Sequence, residues 1–235
     1  MAYARLPLES GPPLQRDSAF SYACAGCGYC CHDMGIRIGP YEILRLARAR
    51  GLSTTAFIAR YTEAGGTMLR NEADGACPFL IGRACAVHDD RPVVCRLYPL
   101  GRMVEAGGIE TFATVVPHPG SEGRRGQDGT VADFLLRQGV EPFLAIGERY
   151  RVLYRRMLDL LVRAEPDEAG RLADRRVTLD ALAAGEAVSA WLDIDATVAA
   201  FCGSTSQPLP EDLAGLIDLH RAALTEWLDG MDAAV

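Results

Sequence analysis

The chain has 235 residues, 49% of them apolar and 23% charged, with a formal net charge of −7. That length suits one large domain or a small domain with an appendage, and it can bury a core without covalent staples. The acidic balance argues against nucleic acid as a partner, although Arg149, Arg151, Arg155 and Arg156 cluster locally. No window approaches the roughly 18 apolar residues that a membrane span requires.

Residues 1–19 read as an extended N-terminal segment. Residues 1–23 are broken by Pro7, Pro12 and Pro13 and hold no apolar signal-peptide core, which predicts a cytoplasmic location. In such a reducing compartment, clustered cysteines serve as metal ligands or catalysts rather than as disulfides. The stretch "CAGCGYCC" then packs Cys24, Cys27, Cys30 and Cys31 into eight residues. "GPYEILRLARARG" predicts a helix, with Pro40 in its first turn, Ile43, Leu46 and Ala47 on one face and Gly51 at its stop. Ser53 caps a second short helix, "TTAFIARYT".

"CPFLIGRACAVHDDRPVVCRLYP" follows, carrying Cys77, Cys85 and Cys95. Within it, Asp90 is expected to cap a short helix with Pro92 in its first turn and Cys95 near its end. A β-hairpin is predicted with arms Gly101–Val104 and Ile109–Val116 around Gly107 and Gly108. Gly120–Gly129 reads as a polar loop. After it Phe143, Ile146, Tyr150, Leu153, Met157 and Leu160 recur at helical spacing. A last helix runs from about Pro210 to Met231, with Leu213, Leu216, Ile217, Leu224, Trp227 and Leu228 on one stripe. The predicted fold is α+β: a small cysteine-rich metal-binding core (20–125) with short helices and a β-hairpin, followed by an α-helical region (126–235) packed on it in a single compact unit.

Seven of the eight cysteines lie between Cys24 and Cys95. The Cys24-x2-Cys27-x2-Cys30 series lets three thiolates converge on one point and begins like a bacterial ferredoxin run, but position 34 is Met34. Further ligands must therefore come from Cys77, Cys85 and Cys95. Adjacent Cys30 and Cys31 point to opposite sides of an extended backbone and serve different centres unless the chain turns sharply. Gly26 and Gly28 N–H groups with Arg83, Arg91 and Arg96 are the candidates to offset thiolate charge. Cys202 reads as a buried structural thiol and His220 as a core histidine. His32 reads as a supporting or surface residue, and His88 is a minor ligand candidate.

Together "CAGCGYCC", "CPFL" and "CAVHDDRPVVCRLYP" resemble the cysteine-cluster (CxxCxxCC, YkgJ-type) family of zinc- or iron-chelating domains. Cys24, Cys27, Cys30, Cys31, Cys77 with Leu80, Cys85, Arg91, Pro92, Cys95, Arg96, Tyr98 and Pro99 all match its pattern. The resemblance covers roughly residues 20–120. Two positions depart from it. His88 stands where relatives often have an aromatic residue, and His118, in "VVPHPGSEG", stands where many carry a cysteine before Pro-Gly. The resemblance thereby implies His118 as an eighth ligand.

Three functions compete on these grounds. One is iron binding, favoured as an iron–sulfur (4Fe-4S) centre with a redox role. Another is a zinc-stabilised interaction module whose C-terminal helices bind a protein partner. The third is protein modification, because flagellin lysine N-methylases share this type of cysteine cluster. No glycine-rich nucleotide loop supports methyl transfer independently: "GRRGQDG" lacks the strand before it and the helix after it.

Overall fold

The computed structural model describes residues 7–105, 108–163 and 189–232. Within them the fold is mixed α+β, as the sequence predicts, with helices and small antiparallel strand pairs. The chain groups into two compact units. The first comprises residues up to Arg37 and Leu69–Leu144; the second comprises Ile38–Met68 and Ala145 onward.

In the first unit β1 (Ala19–Ala23) pairs antiparallel with a strand far along the chain, Arg124–Thr130. Between them in sequence lie the hairpin strands Leu100–Val104 and Glu110–Thr114, paired so that Leu100 faces Thr114 and Val104 faces Glu110. The predicted hairpin is thus present; of its turn, Gly107 lies outside the described residues. The N-terminal segment is tied down rather than loose, with Leu8 bridged to Val115 and Leu14 to Phe112. The core of this unit is Phe20, Leu97, Leu100, Phe112, Val131, Phe134, Leu135 and Val140. The Phe20 and Phe134 rings meet edge to face at 5.1 Å, the orientation favoured by their quadrupoles.

The expected loop over Gly120–Gly129 is in large part the strand Arg124–Thr130. Its residues are exposed and polar, so no apolar alternation marks it. Gly126 sits opposite Ser21, and a Cβ there would come 2.7 Å from the Ser21 hydroxyl; glycine is what allows the two strands to close. Thr130 ends the strand and caps a helix, Val131–Arg137, exchanging hydrogen bonds with Asp133 in a capping box.

In the second unit α1 (Pro40–Ala49) starts at Gly39, whose N–H is held by the Glu42 carboxylate at 3.1 Å, and buries Ile43, Leu44, Leu46 and Ala47. Ser53 caps α2 (Thr54–Tyr61) by accepting from Ala56 N–H, as predicted. Numbering helices along the chain, α3 is Val93–Leu97, α4 Val131–Arg137, α5 Glu141–Arg163, α6 Ser189–Leu192, α7 Ile194–Thr205 and α8 Leu213–Asp232. On α5 Phe143, Tyr150 and Leu153 are buried; Leu160 lies outside the described side chains. Helix α8 buries Leu216, Ile217, His220, Leu224 and Leu228. Trp227 is 51% exposed and so stands off the stripe that the sequence assigned it to. None of the described helices is long and apolar enough to cross a membrane.

Candidate metal centre

The cysteine turn is built by one backbone angle. Gly28 has φ +81°, a left-handed conformation that side chains resist, and it opens a 3-10 turn over Tyr29–Cys31 closed by Cys31 N–H to Gly28 O at 2.9 Å. A sharp turn therefore occurs at the adjacent cysteines, and it overrides the opposed orientation of an extended pair. The two thiols come into mutual hydrogen-bond reach. The bond from Cys31 lowers Cys30 to about 7, while the same bond and burial push Cys31 well up.

The second cysteine segment is laid antiparallel on this turn. Cys77 N–H donates to Cys31 O at 2.7 Å, Asp33 N–H to Gly75 O at 2.8 Å, and His32 bridges Ala76. The chain then folds back in a two-residue hairpin in which Leu80 faces Cys85. A 3-10 turn over His88–Asp90 leads into α3, which carries Cys95. Asp90 is not the cap predicted for that helix. It belongs to the preceding turn; Pro92 occupies the cap position and supplies no side-chain bond.

The arginines divide their roles differently from the expectation that all offset thiolate charge. Arg96 is buried, lies 4.3 Å from the Phe143 ring centre, and donates to the carbonyls of Arg91 (3.0 Å), Gln138 (2.9 Å) and Asp89. Its fork is consumed in holding the turn before α3, and so in positioning Cys95. Arg83 pairs with Glu122 at 2.7 Å on the surface. Arg91 acts on a thiol, opposing the upward shift of Cys95.

Five sulfurs share one electrostatic neighbourhood. Burial raises Cys77, and the Cys85 and Cys30 charges add to it. Burial pushes Cys95 far up, with Cys77, Cys30 and Cys85 contributing. Cys31 in turn feels Cys30, Cys77 and Cys95. Cys24 is exposed, its sulfur accepting from Gly26 N–H at 3.4 Å, and Cys27 is half-buried in the same loop. Among the described residues no three His, Cys, Asp or Glu side chains stand close enough round one point to hold a metal ion. The thiols are gathered without being closed into a coordination shell. Tyr22 and Tyr98, at 6.1 Å edge to face, border the group; burial and then the Cys30 charge raise Tyr98. These tyrosines were not singled out as site residues, although Tyr98 lies in the quoted motif.

The histidines separate clearly. His118 stacks on Tyr29 at 4.8 Å, and its Nδ1 accepts from Gly120 N–H at 2.9 Å. His32 Nδ1 lies 3.2 Å from Gly28 O. His88 is exposed, with its Nδ1 3.0 Å from an Arg91 guanidinium nitrogen. His220 belongs to the second unit, buried with its Nδ1 2.8 Å from the Tyr150 hydroxyl, as a core histidine. Cys202 is likewise in the second unit, buried, its thiol directed at Pro208 O at 3.6 Å.

Such a gathering of soft, mutually repelling thiols on a doubled-back loop suits a cation, and one comparison bears on which. Residues 23–115 match the CxxCxxCC family, described as "Putative zinc- or iron-chelating domain". No curated protein and no solved structure matches the chain. The match spans less than half of the chain and includes seven of its eight cysteines. In this CxxCxxCC segment the donor chemistry fits the description. Thiolates favour zinc and iron–sulfur centres, and a coordinated thiol loses its proton outright, which relieves the raised Cys31, Cys77 and Cys95.

Proposed function

We propose that the chain is an iron-binding protein that holds an iron–sulfur cluster through Cys24, Cys27, Cys30, Cys31, Cys77, Cys85 and Cys95. The observation that carries this is the shared electrostatic neighbourhood of Cys30, Cys31, Cys77, Cys85 and Cys95. Buried thiols that raise one another need a cation to become thiolates together. A closed zinc site and an iron–sulfur cluster each take four protein donors, and the adjacency of Cys30 and Cys31 tilts the choice to iron, because closed structural zinc sites favour paired C-x2-C spacings. When bound, an iron–sulfur cluster supplies one-electron transfer. The chain's own contribution is to orient the sulfurs through the Gly28 turn, to hold α3 through Arg96, and to border them with Tyr22 and Tyr98.

The zinc-stabilised interaction module is the second reading, and the exposed Trp227 on α8 favours it as a surface for a protein partner. Purification without oxygen separates the two. Iron binding predicts a brown protein with several irons per chain and a visible absorption that fades in air. Stoichiometric zinc, no iron and no colour would overturn the iron reading in favour of the module.

A further inference from the structure

The geometry points to residues 117–123 as a clasp that fastens the cysteine-bearing segments to one another, with His118 as its positioning residue and not as a metal donor. Every segment gives the clasp a handle. Tyr29, between Cys27 and Cys30, lies flat on the His118 ring, with centres 4.8 Å apart and planes 11° apart. Arg83, between Cys77 and Cys85, pairs with Glu122 at 2.7 Å. Tyr98, three residues after Cys95, and Tyr22, two before Cys24, both have the Ser121 hydroxyl beside their own.

The loop is shaped for these contacts. Ser121 N–H donates to His118 O at 2.8 Å, and Gly120 N–H donates to His118 Nδ1 at 2.9 Å, so a tight turn fixes the plane of the ring. The loop backbone lies directly against the tyrosines. A Cβ at Gly120 would come 2.7 Å from the Tyr29 ring, and one at Gly123 would overlap the Tyr22 hydroxyl. Glycine at both positions is what lets the loop seat.

The three legs are unequal. An exposed pair such as Arg83 and Glu122 is worth little, and the buried Tyr98 hydroxyl completes no hydrogen bond with Ser121. The flat stack of two rings is worth the most. Tyr29 opens the 3-10 turn that carries Cys30 and Cys31, so releasing His118 lets those two thiols reach solvent by local opening. In metal-loaded protein the same release speeds metal loss. That consequence rests on the metal-binding reading above, whereas the clasp itself does not.

Alkylation by iodoacetamide, followed cysteine by cysteine with mass spectrometry on the reduced, metal-free full chain, tests the clasp. Slow alkylation samples the opening equilibrium. His118→Ala should raise the rates of Cys30 and Cys31 by about three- to tenfold, with Cys202 unchanged. His118→Phe keeps a ring on Tyr29 but has no nitrogen to offer a metal, and it should restore the wild-type rates. In Co²⁺-loaded protein, His118→Ala should keep the wild-type absorption spectrum yet lose its metal to a chelator faster, and His118→Phe should match the wild type in both. The proposal is overturned by wild-type alkylation rates in His118→Ala, by Cys202 accelerating in step with Cys30 and Cys31, by a His118→Phe protein as reactive as His118→Ala, or by a cobalt spectrum that changes in either variant. If the wild-type chain with reduced thiols binds no Co²⁺, the metal-binding reading fails, while the alkylation rates still decide the clasp.

Discussion

Gly75 and Asp33 set how closely the two cysteine segments approach. Gly75 has φ +84°, and a Cβ built there would lie 2.2 Å from Asp33 Oδ1 while Asp33 N–H bonds Gly75 O. Gly75→Ala should therefore cost the left-handed penalty of about 1–2 kcal/mol plus the displacement of Asp33. Gly26 has φ +61° with nothing within 4 Å, so Gly26→Ala should cost the conformational penalty alone. Denaturant midpoints of the two metal-loaded variants should fall in that order. Equal midpoints would mean that Gly75 is not the point of closure between residues 31–33 and 75–77. At this scale a sequence shows that glycines occur beside cysteines, but not which of them carries a left-handed turn. It also hides which ring nitrogen of a histidine is protonated, because Gly28 O and Gly120 N–H are set by the folded backbone.

At the N-terminus of α7 two carboxylates fasten helices that lie far apart in the chain. Asp193 caps α7 at Ala196 N–H and receives the Thr54 and Thr55 hydroxyls, while Asp195 receives Arg48 and Thr54 N–H. Burial raises the Asp195 carboxyl, but the Arg48 and Thr54 bonds outweigh it and hold the group below its ordinary 3.8. The ionised form is thus favoured by folding. Its contribution is complete above the unfolded value and is lost as pH falls through the lower folded value. Asp195→Asn should cost about 1–2 kcal/mol near neutral pH, an amount moderated by the exposed Arg48. Its stability should also fall less steeply than that of the wild type below about pH 4. Parallel acid-unfolding curves would show that Asp195 carries no such coupling. The helices α1 and α2 were legible because each announces itself locally, through Pro40, Ser53 and a periodic apolar face. The strand Arg124–Thr130 was not, because its pairing with Ala19–Ala23 depends on a partner about a hundred residues away and its own residues are polar. Helix α4 was lost with it, since its Thr130 cap directly follows the segment read as loop.

The two compact units interleave along the chain, and that arrangement governs what metal removal should do. The first unit contains Cys24, Cys27, Cys30, Cys31, Cys77, Cys85 and Cys95, whereas α1 and α2, between Cys31 and Cys77 in sequence, group with α6, α7 and α8. The second unit has a buried apolar core of its own, including Ile43, Leu44, Leu46, Phe57, Ile194, Val198, Leu216, Ile217 and Leu224. Burial of that kind stabilises helices without any metal. The cysteine segments have mainly short turns and two-residue strands, and ordering such a chain relies on coordination. Stripping metal from the full chain with a chelator should therefore speed amide exchange in residues 24–36 and 69–97. Protection of Pro40–Ala49, Thr54–Tyr61, α7 and α8 should stay near its loaded level. The decisive peptides are those of α1 and α2, because they lie inside the cysteine-bearing stretch of sequence yet outside the cysteine-bearing unit. If they lose protection in step with residues 24–36, the metal organises both units as one cooperative structure, and the independence of the second core is refuted.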